Sequence, residues 1–335
     1  MNSTTAEIYE KVKFMKTLTL IVPCFNEADV LGMFYEETSK VIDSLKDRYS
    51  TELVFVDDGS RDDTLRIIKE LASRNSAVKF ISFSRNFGKE AAMLAGMEYA
   101  VKADFIGILD ADLQHSPEII PEMLHFVDDE GYDVAAANRE DREGEGKLKS
   151  FLSDSFYKVI NRVSETKITE SAQDFRIMKK NVVKAIISMP ESIRFSKGIF
   201  SWVGFNVKWI GHTNRERAAG ETKWSLTKLA KYAIDGILGF TTSPLRLSFL
   251  FAFICAFIAG VSFIYGIIRN IINPLYAGFI PFILTGMFFI GFLLLLSIGI
   301  IGEYLARVYT ESKDRPKYIV SQTNTQVVYS FPEDE

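Results

Sequence analysis

The feature that most constrains this chain is an event that repeats four times before residue 120. An apolar, β-rich run stops at a polar cluster, and a helical pattern follows. Leu18–Val22 gives way to Pro23-Cys24-Phe25-Asn26-Glu27 and a helix from Ala28. Thr51–Val56 gives way to Asp57-Asp58-Gly59-Ser60 and a helix from Arg61–Thr64. Val78–Phe83 runs into Ser84-Arg85-Asn86-Phe87-Gly88-Lys89 and a helix through Tyr99. Phe105–Leu109 ends at Asp110-Ala111-Asp112, before a helix that Ser116-Pro117-Glu118 starts, and Asp133–Ala137 is a fifth strand. Short buried strands alternating with helices predict a mostly parallel, doubly wound α/β sheet. Every polar cluster then falls where a strand ends and a helix begins, the edge at which open α/β sheets bind ligands.

The clusters differ in chemistry. Alternate residues of a strand point the same way, so Asp110 and Asp112 can face one cleft. Two anions there repel each other unless a cation lies between them. Hard oxygen ligands of this kind suit Mg²⁺ or Mn²⁺, which would in turn hold a diphosphate. The same pair also reads as capping or turn aspartates before the next helix. Asp57 and Asp58 offer acceptors to a ribose or a base edge, and Gly59 permits a tight turn. Arg85 and Lys89, beside Gly88, suit a base or a phosphate. The absence of G-x-G-x-x-G after the first strand, and of G-x-x-x-x-G-K-[ST], removes support from dinucleotide and P-loop binding. Singly, each cluster reads as a cap and turn; four on one sheet edge read as a site.

Beyond Ala137 the pattern changes. Asn138–Lys149 is charged and glycine-interrupted, which reads as a loop. It is either a solvated linker or a lid whose Arg139 and Lys149 reach a phosphate. Ser150–Val163 has the spacing of an amphipathic helix. Asp174 is flanked by Phe175, Ile177 and Met178, a setting in which a carboxylate needs a partner or a job, unless it caps a helix over Lys179–Ser188. Phe195–Gly204 brings Lys197 and aromatics toward the pocket.

A formal charge of −4 argues against a nucleic-acid binder. Two cysteines, Cys24 and Cys255, make no disulfide framework and point to a reducing compartment. The first sixteen residues lack the apolar core of a signal peptide. The last third is different. Ser225–Phe240 has the spacing of a helix lying in a membrane interface. Two uncharged stretches, 247–268 and about 276–302, are each long enough to span a bilayer. Lys223, Lys228, Lys231 and Arg246 precede the first span and Arg307, Lys313, Arg315 and Lys317 follow the second, whereas only Arg269 falls between. The positive-inside rule places both ends in the cytoplasm. Glu303 and Arg307 have the spacing of an interfacial helix pair.

The order VPCFNE, VDDGS, FSRNFGKEAA, LDADLQ and QDFRIM resembles the family-2 glycosyltransferases of the GT-A fold, in the membrane-bound polyprenyl-phosphate branch. Nearly the whole chain is covered, tail included. The resemblance implies that Pro23, Phe25, Glu27, Asp57, Asp58, Arg85, Lys89 and Asp110 hold a nucleotide-sugar. It gives Asp110, Asp112 and Gln114 the Mg²⁺ or Mn²⁺ and its diphosphate, and makes Asp174 the base of an inverting transfer. Arg217-Ala218-Ala219-Gly220-Glu221-Thr222-Lys223 matches the family's R-x-x-G-x-[ST]-K element. With Arg139, Lys149 and Lys197, its cations Arg217 and Lys223 are assigned to the acceptor phosphate or the departing diphosphate, although a basic patch that attracts anionic lipid reads equally from the residues.

The implied reaction passes glucose or N-acetylglucosamine from a UDP-sugar to undecaprenyl phosphate at the cytoplasmic face of the cell membrane. Mannose and aminoarabinose are the alternative sugars. A processive polysaccharide synthase is disfavoured because the chain lacks Q-x-x-R-W. A scaffold without chemistry is disfavoured by the intact acidic residues. The expected organisation is a polar segment 1–16, a GT-A domain 17–224, a juxtamembrane helix 225–243, a two-helix anchor 244–306 and a tail 307–335. A homo-oligomer, dimer or tetramer, packed through the spans and tail is also implied.

Overall fold

The computed structural model describes residues 15–139, 161, 172–192, 194–212 and 280–325, and residues 250–272 in part. Strand β1 (Lys16–Cys24) leads into helix α1 (Ala28–Leu45), β2 (Tyr49–Asp57) into α2 (Thr64–Arg74), and β3 (Val78–Phe83) into α3 (Lys89–Ala100). β4 (Phe105–Ile108) is followed by a 3-10 turn at Pro117–Ile119, the short α4 (Ile120–Leu124), and β5 (Val134–Arg139). Next come β6 (Ala172–Lys179), α5 (Lys180–Ile187), α6 (Ser196–Trp202) and β7 (Val207–His212). The long α7 (Ile280–Ser312) and β8 (Val320–Thr323) close the described chain. The strand-to-helix events stand where the alternating pattern puts them, and the Ser116 hydroxyl accepts the Glu118 N–H at the start of the 3-10 turn.

The eight strands form one mixed α/β sheet in the order β7-β5-β6-β4-β1-β2-β3-β8. Four neighbouring strands, β4, β1, β2 and β3, run parallel, as does the β5–β7 pair. The layout is the mostly parallel, GT-A-like sheet that was expected, with two antiparallel additions. β6 enters between β4 and β5 and opposes both. Asp174 lies inside this strand, so it does not cap a helix.

Alternation along the strands explains the two layers of helices. Leu18, Leu20 and Val22 of β1 and Leu53 and Phe55 of β2 join one core with Leu31 and Phe34 of α1. Ile21, Val54 and Val56 point the other way, into a second core with Ala92, Met93 and Met97 of α3. Each such side chain contributes roughly 1.5–3 kcal/mol when fully buried. Helix α3 is built from small residues because it packs close to β1: a Cβ on Gly96 would lie 2.2 Å from Ile21 Cγ2.

Helix α7 has a different pattern. Phe289, Ile290, Phe292, Leu294, Leu295 and Ile298 cover every side of it, and all are exposed, Leu295 to 71%. A helix apolar all round is commonly a membrane span or a buried core, and this one is exposed along most of its length. It runs to Ser312, beyond the expected end near Gly302, and the Glu303–Arg307 pair forms at 3.6 Å. Among the described residues one helix, not two, is long and apolar enough to cross a membrane. The other expected span, 247–268, is described only in part, and its described residues are helical. The tail after α7 adds β8 to its own sheet, antiparallel to β3. The juxtamembrane helix at 225–243 lies outside the described residues, as do most of the 138–149 loop and nearly all of the 150–163 helix.

Candidate active site

Three distant pieces of sequence meet at the C-terminal edge of the central strands. Ile108 pairs with Arg176 across the antiparallel β4–β6 ladder. Continuing that register two residues sets Asp110 opposite Asp174. Asp110 shares its face with Ile106 and Ile108, whose side chains lie in the α3-side core. Two facing carboxylates would repel, and Lys89, the first residue of α3, lies between them. Its Nζ is 2.6 Å from Asp110 Oδ1 and 2.6 Å from Asp174 Oδ2. The three side chains retain 38, 24 and 19% of their exposure, in the order Lys89, Asp110, Asp174, so the cluster opens to a ligand.

Burial alone would raise the Asp174 carboxyl. The cations Lys89, Lys197 and Arg176 outweigh that and hold it far below the usual carboxylate range. Burial likewise works against the Lys89 charge, and the two carboxylates overcome it, keeping the ammonium above its ordinary value. Arg176 is almost fully buried, and burial pulls it down to about 10. Its guanidinium donates to the Gln173 carbonyl at 2.7 Å and stacks over the Phe200 ring at 3.6 Å.

Glu90 is a site residue that sequence reasoning misses. Its carboxylate accepts both the N–H and the hydroxyl of Ser196, tying the start of α3 to the start of α6, where Lys197 follows. Burial first, and the Asp174 charge second, push its carboxyl up to about 7. The available signal is a glutamate followed directly by the apolar run Ala91–Gly96.

The remaining clusters form a continuous rim. The Asn26 N–H donates to Ser60 Oγ, the Arg61 N–H to Asn26 Oδ1, and the Glu27 N–H to Thr64 Oγ1. Phe25 and Glu27 are half-buried on this rim, and Pro23 lies opposite Val56. Asn26 and Leu113 both have positive φ, which places strained backbone at two strand ends. Gly59 needs its freedom twice: φ is +66°, and a Cβ would lie 2.5 Å from the Arg85 carbonyl carbon.

Asp57 and Asp58 are buried and hydrogen-bonded within the fold. Asp57 is 1% exposed and accepts the Ser60 N–H at 3.0 Å and the Ser82 hydroxyl at 2.7 Å. Asp58 accepts the Phe87 and Gly88 N–H groups at 2.6 and 2.9 Å, and burial raises it to about 6 against those bonds. Both carboxylates help build the rim, because they supply acceptors that the turns would otherwise lack. Arg85 is exposed, and its guanidinium lies 4.2 Å from the Phe87 ring centroid.

Asp112 accepts the Gln114 N–H at 3.1 Å, so it makes the turn contact as well as completing the acidic pair. Among the described residues no three His, Cys, Asp or Glu side chains gather to hold a metal. Asp110 and Asp112 nevertheless fit an ion shared with a substrate, since Mg²⁺ is commonly bound by one or two carboxylates plus phosphates. Arg139 ends β5 opposite His212. Lys149, Arg217 and Lys223 lie outside the described residues.

A cavity of about 580 Å³ opens at the opposite sheet edge, lined by Lys16, Asp104, Asp128, Lys179 and Lys184 among others. Much of its charge is consumed internally: Lys16 pairs with Asp128, and Lys179 donates to the Gly131 carbonyl. The acids converge at the other edge, beside Lys89.

Comparison with known proteins places the chain in a family. Residues 19–187 match the family described as Glycosyl transferase family 2. The chain is 41% identical over 308 residues to the bactoprenol glucosyl transferase of Shigella phage SfV, covering 90% of this chain and 97% of that one. It is also 41% identical over 308 residues to a prophage bactoprenol glucosyl transferase homolog of Escherichia coli K12, covering 91 and 98%. Among solved structures, a glucosyl-3-phosphoglycerate synthase from Mycobacterium tuberculosis, in complex with Mn²⁺, UDP-glucose and phosphoglyceric acid, is similar at TM-score 0.44 and 14% identity, over 71% of this chain and 83% of that one.

Proposed function

The chain belongs to glycosyl transferase family 2, and on that premise we propose that it transfers glucose or N-acetylglucosamine from a UDP-sugar to undecaprenyl phosphate, with inversion, at the cytoplasmic face of the membrane. The observation that carries this reading is the Asp110–Lys89–Asp174 cluster, in which three motifs from separate elements meet at 2.6 Å. The relatives, bactoprenol glucosyl transferases by name, support glucose and a lipid acceptor. Helix α7, apolar on all sides, supports an acceptor that stays in the bilayer. The 247–268 stretch is proposed as a second span, and Arg217 and Lys223 as acceptor-phosphate ligands beside it. The sugar itself rests on the relatives alone.

Each residue of the cluster has a physical task. Mg²⁺ or Mn²⁺, held by Asp110 and Asp112 with Gln114 nearby, would offset charge on the leaving diphosphate. Asp174 is a firmly ionised carboxylate and hence a weak proton acceptor. A phosphate monoester, with a second pKa near ~6, is already largely dianionic at neutral pH and needs little deprotonation. Asp174 therefore orients the nucleophile and anchors Lys89 more than it removes a proton. Lys89 would face negative charge developing on the departing diphosphate rather than the oxocarbenium-like sugar, and Lys197 would add a second cation from α6. Fixing a cytosolic donor and a membrane-held acceptor in one cleft supplies proximity.

The test is incubation of the full chain in detergent with radiolabelled UDP-sugars, undecaprenyl phosphate and Mg²⁺ or Mn²⁺. Label entering the lipid phase with UDP-glucose or UDP-N-acetylglucosamine is the expected result. No transfer from any donor would overturn the reading.

A further inference from the structure

The tail that follows α7 does more than cover a sheet edge. At the end of the long helix the Glu311 carboxylate accepts the Ser192 N–H at 2.9 and 3.1 Å and the Ser192 hydroxyl at 2.8 Å. The chain then pairs β8 with β3, Ile81 opposite Thr323 and Phe83 opposite Val320, with a register shift between Ser82 and Phe83. Asn324 clamps the far end, accepting the Phe80 N–H at 2.8 Å and donating to the Val78 carbonyl at 3.2 Å.

Pairing of this kind protects an exposed edge and explains itself. Two contacts lie at and just past the last residue of β3. The Ile319 carbonyl accepts the Ser84 N–H at 2.9 Å. The Tyr318 ring stacks on Phe83, centroids 4.9 Å apart and 16° from parallel, while its hydroxyl donates to Glu98 of α3. Phe83 in turn meets Phe87 edge to face at 5.8 Å. Phe87 and Gly88 are the residues whose N–H groups Asp58 holds, and Lys89 comes next.

We infer that the segment after the membrane helix is a strut that positions the Lys89 loop, with Tyr318 as its positioning residue. Ser84–Lys89 is then fixed at both ends: by Tyr318 and Ile319 where it leaves β3, and by Asp58 where it enters α3. Tyr318 touches no reacting atom; it acts through Phe83, Phe87 and the loop. Through Glu311 and the residues that follow, the membrane helix is mechanically continuous with the candidate site. The kinetic part of this inference rests on the transferase reading; the structural part does not.

The experiment compares Tyr318→Ala with Tyr318→Phe in the full chain in detergent. Phenylalanine keeps the stack and removes only the hydroxyl bond to Glu98. Hydrogen exchange is expected to accelerate about tenfold at the Ser84–Lys89 amides in Tyr318→Ala, within the range by which such connecting residues modulate coupling. Amides of β1 and β4 should be unchanged, and Tyr318→Phe should exchange like the parent. With UDP-glucose as donor, Tyr318→Ala should raise KM by about tenfold while kcat moves far less, and Tyr318→Phe should restore the parent value. Unaltered exchange at 84–89 in Tyr318→Ala would overturn the strut, as would equal effects of the two variants. Should Tyr318→Ala fail to fold, Tyr318→Leu, which keeps apolar bulk without an aromatic face, carries the same comparison. If the parent transfers no sugar at all, the transferase reading fails while the exchange data still decide the strut.

Discussion

Gly59→Ala separates backbone strain from site geometry. The native φ of +66° lies in the left-handed region. That region costs an L-residue roughly 1–2 kcal/mol. The new methyl would also lie 2.5 Å from the Arg85 carbonyl carbon and 2.8 Å from its Cα, against an ordinary contact of at least 3.4 Å. Both atoms are backbone, so no side-chain rotation relieves the overlap. The Asp57–Ser60 turn and the Ser84–Lys89 loop must part by nearly an ångström, and the Asp58 bonds to Phe87 and Gly88 stretch with them. A displacement near ~1 Å at a site like this costs ~10²-fold in turnover. Gly131→Ala is the control: its φ is +85°, yet nothing lies within 4 Å of the added methyl. Both variants should lose ~2–4 °C in melting temperature per kcal/mol of strain. Only Gly59→Ala should lose transfer, measured as label passing from UDP-sugar into lipid. A change under ~3-fold in Gly59→Ala, equivalent to less than about 1 kcal/mol, would refute the reasoning, as would an equal loss in Gly131→Ala.

Three further outcomes follow from the same geometry. Asp112→Asn should raise the Mn²⁺ concentration needed for half-maximal transfer, and an unchanged metal titration would remove Asp112 from the ion site. Lys89→Met leaves Asp110 facing Asp174 without a cation. A close pair at an effective dielectric of about 20 is worth ~4 kcal/mol. The lysine side chain is 38% exposed. Solvent contact therefore reduces the lost stability to roughly 1–2 kcal/mol, read from the denaturant midpoint. Transfer should fall with it, and a variant as stable and active as the parent would contradict the bridge. Glu90 has a carboxyl pKa of about 7 in the fold against 4.5 for the free group. A carboxyl raised in this way contributes stability that is fully present below 4.5 and lost as pH rises through about 7. Glu90→Gln should therefore flatten the decline in melting temperature across that window, and a parental slope would count against the assignment.

Local events are legible in the sequence and distant ones are not. Each strand that ends at a polar cluster announces itself within a short stretch of chain, which is why β1 to β4 and their clusters fall where the alternation puts them. Asp57 and Asp58 read as nucleotide ligands from their place at a strand end. Their bonds to Ser82, Phe87 and Gly88 are not legible from that place, because those residues come much later in the chain. The Glu90–Ser196 tie spans 106 residues. The strand Val320–Thr323 is four residues with little apolar pattern, and only β3 makes it a strand.

The decisive distant fact is the register of β6. A strand's side chains alternate, so a slip of one residue would turn Asp174 to the α1 side of the sheet, away from Lys89. What prevents the slip is the identity of its neighbours. Phe175 and Ile177 are completely buried in the α1-side core, and Met178 is completely buried in the α3-side core. Shifting the strand would exchange these faces, placing Asp174 and the Arg176 guanidinium among Leu20, Phe55 and Leu109. Each unpaired charge there would cost several kcal/mol. The apolar residues that flank Asp174 in QDFRIM are therefore part of the site. They carry no chemistry, yet they decide which face of the sheet the carboxylate is on, and so whether Lys89 can reach it.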